Sequence, residues 1–556
     1  MLTIVVMYEL RNLTVGTFCG LFLIPPAFPR LIYKDLSNDR EGRAKMLLLV
    51  QIPKRMGIVE KQSIKGSFFS YVGVVVGFIT AGLLQPHIFT KAENGVLELL
   101  TSWSLVFATL ATLGLNNVTN RLFPWFRNPS NHHHGFYGLL FWVTIAGTII
   151  SLIVYWFLRP WIIADSEAQE SFLFIRYMDF IIPLTIFTAI YLVTDIYYAV
   201  LLNAVKGIFL REFLMRLFIL VAFLVFVAGW CSFGGTVLLY VVALSAPGIL
   251  ITISLIRDGE FVIRPDKTHL NREMTRSLVS VASYGLIIAF SNIMILYIDR
   301  IMVNSFLGLE ATGLYGRVFI FGSLVSIPNR AVSKISAVVV AQLWKDNNHQ
   351  EINRLYRDTS LHQLLFALLI FVGIWGNIGN IFHILPDSYE EGKWVIFWIG
   401  LSNLFIMTSG ISGSVMTTSS HYRMLALFVI LFGVLVIVSN LLFIPAFGIV
   451  GAALASAVSS FVYALMRYLF LLFRYQMQPY TWRHAATLLV AVAAYVPAIL
   501  IPDLNNSNRP ILTLILDIGV RSLAISLVFA AITLIFKVSP DLNQRWKQLY
   551  RSFRAK

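Results

Sequence analysis

The stretch Ser277 to Trp344, SLVSVASYGLIIAFSNIMILYIDRIMVNSFLGLEATGLYGRVFIFGSLVSIPNRAVSKISAVVVAQLW, decides how the rest of the chain is read. It holds two apolar runs, each long enough to cross a hydrocarbon core of roughly 30 Å, joined by a glycine-containing turn around Leu307 to Gly313. That pattern predicts a transmembrane hairpin. Charge sits inside it where charge is costly: Asp299 and Arg300 near the end of the first run, Arg317, Arg330 and Lys334 along the second. Ionisable groups at membrane depth usually face a protein interior or an aqueous cavity, so they mark a candidate pathway.

Composition bounds the class. A chain of 556 residues that is 58% hydrophobic is a polytopic membrane protein, not a string of soluble domains. Its net charge of +15 reads as basic cytoplasmic loops facing an anionic leaflet and does not require nucleic acid. Cys19 and Cys231 make no disulfide framework and no metal-ligand spacing, so they read as packing residues. No Walker A loop is present, which argues against direct use of ATP.

From Gly66 to Phe536 the apolar runs predict about fourteen membrane spans, an all-α polytopic protein. The expected organisation is an N-lobe of six spans in 56–256, a cytoplasmic inter-lobe loop at 257–277, and a C-lobe of six spans in 278–474. An accessory pair follows in 475–536, and a basic amphipathic tail in 537–556 that would lie on the inner leaflet. Residues 1–55 do not fit: their apolar run is broken by Pro25 and Pro26 and followed by a basic segment, so they read as an atypical extension or a mis-assigned start before Met56. Arg257, Arg264, Lys267, Arg272, Arg276, Arg354 and Arg357 fall in the loops assigned to the cytoplasm, whereas the opposite loops collect acids. That asymmetry predicts that both termini lie on the cytoplasmic side, and the expected location is the cytoplasmic (inner) membrane. The halves echo each other in SYVGVVVGF and SYGLIIAF, the expected trace of repeated six-helix units in a transporter.

Within the hairpin, Asp299 and Arg317 stand about six residues either side of the turn, and at ~1.5 Å per residue they share a depth and can pair. Arg330 and Lys334 lie near the inner mouth, four apart on one helix face, where two cations form a seat for a diphosphate or else snorkel to the interface. Asp195, in YLVTDIYYAVLLN, is the candidate for H+ or Na+ coupling, weighed against a packing acid held by a tyrosine. Arg211, Glu212 and Arg216 read as a topology anchor, and Asp517 with Arg521 as a self-neutralising pair. His132, His133 and His134 cannot all point at one metal from a regular element, so no metal or other cofactor is expected. Gly73-Val-Val-Val-Gly77 allows close helix approach.

Several segments together resemble a known family: KAENGVLELL, LGLNNVTNRLF and FLREFLMRLF in the first half; YIDRIMVNSFLGLEATGLYGRV, SIPNRAVSKIS, ILPDSYEEGKWV, TTSSHYRM and LFIPAFGIVGAALASAVSSFVYALMRY in the second. Their order and spacing are similar to those of the Wzx-like oligosaccharide flippases of the polysaccharide transport family, within the MATE-like (MOP flippase) superfamily. The resemblance spans about Met56 to Phe536. It implies two six-helix lobes around a central cationic cavity, alternating access, and a polyprenyl-diphosphate-linked oligosaccharide carried outward for cell-surface polysaccharide synthesis. It also implies partners in the membrane lipids and in a glycan polymerase or glycosyltransferases, and a carrier, not an enzyme. Asp299, Arg300 and Arg317 then look like cavity-lining residues, with Arg330 and Lys334 at the head-group end. Two other classes compete: a cation-coupled multidrug exporter of the same superfamily, which would favour acids in its lumen, and a membrane glycan polymerase or glycosyltransferase, which commonly needs a larger acidic outer loop.

Overall fold

A computed structural model describes residues 65, 66, 68–266, 271–502, 510–540, 543 and 544. The extension 1–55 and, apart from residues 543 and 544, the tail helix expected in 541–556 lie outside them, as do the side chains of Arg330 and Lys334. Every regular element among the described residues is helical. Ten helices are long and apolar enough to cross a membrane, or up to eleven if the bent pair within 387–418 counts as one span.

Two of those ten are 52 and 54 residues long and are not straight rods. The hydroxyl of Tyr315 donates to Asp299 at 3.0 Å, although a straight helix would hold residues 16 apart about 24 Å from each other. Ser439 and Ser459 likewise meet at 2.9 Å. Each chain folds back at a glycine with φ positive, Gly308 (φ 81°) and Gly448 (φ 60°), a backbone conformation that a side chain would strain. The hairpin expected around Leu307 to Gly313 is therefore present, and a second one turns at Gly448.

With the hairpins resolved into arms, the helices in order are α1 (Phe68–Ile88), α2 (Lys91–Phe126), α3 (Phe136–Ala168), α4 (Ile181–Val200), α5 (204–227) and α6 (Phe233–Arg257). Then come α7 (272–307), α8 (309–345), α9 (His349–Gly376), α10 (Lys393–Thr408), α11 (422–447), α12 (449–475), α13 (Trp482–Leu500) and α14 (Pro510–Ile535). This division gives fourteen helical segments among the described residues, against the ten or eleven that are long and apolar enough to span. Of the fourteen, α5 falls outside the ten because its first turns carry Lys206, Arg211, Glu212 and Arg216 and pass through a π-turn, Phe209–Leu214. Helix α8 is interrupted after Ser326 and restarts at Asn329, so the break lands where Pro328 and Asn329 stand.

Local signals set the ends. Thr90 and Glu93 form a reciprocal capping box at the start of α2, with 2.9 and 3.2 Å bonds. Asn271 caps α7 through Met274 N–H at 2.7 Å, and Asn348 caps α9 through Glu351 N–H at 3.1 Å. The buried cores mostly divide by half. One set gathers Val96, Phe174, Phe223 and Tyr240; another gathers Val318, Ile399, Val436 and Ala452, and α13 and α14 pack on α9 through Ala494, Ile525 and Phe529. Helix α7 crosses between them: Leu278 and Ala282 pack with the core of Leu122 and Phe136, Ile298 and Val303 with that of Val318 and Ile399. Large apolar side chains such as Phe157 and Leu489 point outward with more than 70% of their surface exposed, as lipid-facing positions do.

Candidate functional site

Helices α2 and α8 touch at backbone distance. A Cβ on Gly313 would stand 1.9 Å from the Lys91 carbonyl oxygen, and one on Gly95 would stand 2.2 Å from that of Leu309. Such closeness is the usual role of glycine between membrane helices. Here it sets a carboxylate from α2 among the cations of the hairpin. Glu98 Oε2 accepts from Arg300 Nε at 3.0 Å, and Glu98 Oε1 accepts from Arg317 Nη2 in a short contact. Arg300 also donates to the Leu296 carbonyl at 2.6 Å and lies 4.3 Å over the Phe319 ring; Arg317 donates to the Ala81 carbonyl at 3.2 Å. All three charged side chains are at most 13% exposed. Two buried cations thus share the Glu98 carboxylate, and the Nε of Arg317 has no hydrogen-bond partner among the described residues.

The pairing of Asp299 with Arg317 expected from their common depth does not form. Matching depth on two arms does not fix which way the side chains face, and Asp299 turns toward the second hairpin. There it accepts from Asn440 Nδ2 at 2.8 Å, Ser456 Oγ at 2.6 Å and Tyr315 Oη at 3.0 Å, with only 2% of its surface exposed. The Asn440 amide oxygen beside it is buried and unpartnered among the described residues. Asp299, Arg300 and Arg317 are thus neighbours in two linked clusters, one cationic and one oxygen-rich.

Asp195 stands apart, five residues before the end of α4, packed so tightly on α5 that a Cβ at Gly207 would overlap its carboxylate. Arg330 and Lys334 belong to the restarted part of α8, and their side chains are outside the described residues. The histidine tract binds loop to loop: His134 meets Asp266 at 3.3 Å, and His133 lies 3.9 Å from Glu260. Asp517 and Arg521 do pair, at 2.8 Å, and Asn380 donates to Asp517 at 2.6 Å.

Glu98 was not among the residues singled out from the sequence, though an acid inside Val96–Leu100 was a visible signal. Also missed was a partly open cavity of about 260 Å³ lined by α2, α4, α5, α6 and α7. Thr101, one turn beyond Glu98, lines it together with Thr188, Tyr191, Tyr297, Arg211 and Glu212. The residues read as a topology anchor therefore face an interior space.

At the Gly308 end the two halves are tied by Ser305 to Asp165 at 2.7 Å, Ser171 to Asn304 at 3.1 Å, Asn94 to Tyr389 at 3.2 Å and Lys91 to Glu391 at 3.5 Å. At the other end Gly114 abuts the backbone of Ala282, and the Arg121 guanidinium lies 5.9 Å from the Tyr422 ring.

The chain is thus an all-α polytopic membrane protein with a charged interior at the junction of its halves. Among solved structures, the fold is similar to that of the lipid II flippase MurJ in an inward closed conformation, with a TM-score of 0.64, 12% identity, and coverage of 85% of this chain and 98% of that one. It is also similar to a multidrug resistance MATE family transporter of the MOP superfamily, inward-facing (TM-score 0.53, 12% identity, 76% and 99% covered) and outward-facing (TM-score 0.50, 13% identity, 78% and 96% covered). No protein-family model and no curated protein sequence matches the chain.

Proposed function

We propose that this protein is a flippase that moves a polyprenyl-diphosphate-linked oligosaccharide across the cytoplasmic membrane by alternating access, without covalent chemistry. The observation that carries the reading is the Glu98–Arg300–Arg317 cluster, a buried site between the halves where two cations share one carboxylate. A glycan head cannot cross hydrocarbon without a large desolvation cost. A cationic interior offers a diphosphate charge-assisted donors while the isoprenoid tail stays in lipid. The fold shared with a lipid II flippase supports a lipid-linked substrate. The division of the cores by half supports the two-lobe organisation, 56–256 and 278–474, with 475–536 as an accessory pair. The bias of Lys and Arg supports cytoplasmic termini and a Gly308 end that faces outward.

In cells that make a surface polysaccharide with this protein, replacing Arg300 and Arg317 together by Gln should stop export and leave lipid-linked repeat units on the inner leaflet, with the protein still in the membrane. The milder Arg317→Lys keeps the charge and should retain partial export. Normal surface polysaccharide in the double variant would remove the cluster from the pathway. The same assay on Arg330→Ala with Lys334→Ala tests the head-group seat at the inner mouth.

A cation-coupled exporter of the same superfamily is the second reading, favoured by the likeness to MATE transporters and by the acidic site at Asp299. For a coupling ion we prefer Asp299 to Asp195, because the hydroxyl oxygens of Ser456 and Tyr315 and the amide of Asn440 gather around it from both hairpins. Substrate competition separates the readings: export blocked by lipophilic cations and indifferent to lipid-linked glycan would favour the second.

A further inference from the structure

The 260 Å³ cavity beside the cationic cluster has a chemistry of its own. Of the three charged residues that line it, Arg216 pairs with Glu212 at 2.9 Å and donates to the Gly73 carbonyl, which α1 brings close because Gly73 and Gly77 pack against α5. Arg211 is left over. Its guanidinium lies 5.3 Å from the Tyr191 ring and makes no hydrogen bond or ion pair among the described residues. Asp195, one turn beyond Tyr191 on α4, is packed against Gly207 and does not line the cavity. Thr101, Ser104, Thr188 and Tyr191 line the space with Arg211; the Tyr191 hydroxyl donates to the Gly207 carbonyl at 3.0 Å, that of Thr101 to the Leu97 carbonyl at 2.8 Å and that of Ser104 to the Thr101 carbonyl at 3.0 Å, and Tyr297 of α7 closes the side toward Arg300. The volume is below the roughly 300–1,000 Å³ of drug-sized sites, so the occupant is one ring and not a chain. The π-turn that presents Arg211 and Glu212 is an irregularity often found at functional sites.

We propose that this cavity is a subsite for one acidic sugar unit, a pyranose bearing a single negative charge, taken from the glycan head of the substrate. The inference rests on the flippase reading for the word sugar, and on the cavity for size and charge. The tyrosine rings, each with an arginine on one face, offer apolar surface to the C–H side of a pyranose, and the hydroxyl oxygens of Tyr191, Thr101 and Ser104, whose protons go to backbone carbonyls, accept from the O–H groups on its rim. Arg211 takes the carboxylate through paired N–H groups. A neutral sugar offers that guanidinium no charge-assisted acceptor, whereas a carboxylate does, so acidic units are selected over neutral ones.

The test uses the purified full-length protein in lipid nanodiscs, titrated with methyl glucuronide, methyl glucoside and inorganic phosphate, and read by the ligand-dependent rise in melting temperature. Methyl glucuronide should bind more tightly than methyl glucoside. Arg211→Gln should weaken the glucuronide by about tenfold or more while leaving the weak glucoside effect, and Arg211→Lys should recover part of the loss. Equal glucuronide binding by wild type and Arg211→Gln overturns the proposal, as does no binding of the glucuronide to wild type. Phosphate that binds wild type as tightly as the glucuronide, with the same dependence on Arg211, overturns the sugar assignment in favour of a phosphate seat. Should the Arg300 and Arg317 variants block glycan export while glucuronide binding ignores Arg211, this subsite falls and the transport reading stands. Arg211-dependent glucuronide binding without any transfer of lipid-linked glycan would do the opposite, keeping the acidic-ring subsite and removing the transport reading.

Discussion

At Glu98 each carboxylate oxygen takes one arginine, Arg317 on Oε1 and Arg300 on Oε2. Removing one member of a buried ion cluster is costly because the others keep their desolvation without its compensation. Glu98→Gln should therefore lower unfolding stability by about 3 kcal/mol or more, measured as denaturant or thermal unfolding in detergent. Adding Arg317→Gln should restore part of that loss, whereas additive losses would mean that the pair is not coupled. The hairpin charges were legible as residues because each stands in an apolar run. Their partners were not, since Glu98 lies 219 positions from Arg317 and helix depth does not give side-chain direction. For the same reason Arg211 and Arg216 looked like an anchor, while the structure turns them toward a cavity.

Among the elements, the α2–α8 contact holds the site together. Gly313→Leu would drive a side chain into the Lys91 backbone, and should abolish the properly folded species seen by size-exclusion chromatography; a well-folded Leu variant would mean that the helices can separate without loss. Outside the spans, Asp258 joins α4, α5 and the loop after α6. Its carboxyl is held below the usual carboxylate range by the hydrogen bond from Lys206, and further by one from Tyr198 at 2.8 Å. A lowered native value stabilises the fold fully above about pH 4 and loses that contribution as pH falls through the native value. Asp258→Asn should thus lower the melting temperature slightly at pH 7, and the gap to wild type should narrow progressively once pH falls below about 4. A gap that stays unchanged through that acid range would assign the effect to packing. The first hairpin was legible from its length and glycines, and so was the interruption of its second arm at Pro328 and Asn329. The ties between segments far apart in sequence were not, because spacing carries no information about which helices become neighbours.

At the scale of the molecule, the halves meet at both ends, and alternating access requires the ties at the Gly308 end to part in each cycle. Ser305 and Asp165 are 2.7 Å apart there, one from each half. Cysteines at both positions, with Cys19 and Cys231 replaced by Ser, should form a disulfide on oxidation and lock that end. The most direct measurement of the central claim places this double variant in liposomes with a fluorescent polyprenyl-diphosphate-linked oligosaccharide and follows the arrival of the glycan on the far leaflet. The reduced protein should transfer it, the oxidised protein should not, and reductant should restore transfer. Transfer that continues in the oxidised, fully cross-linked protein, or none above protein-free liposomes in the reduced one, would contradict an alternating carrier of lipid-linked glycan.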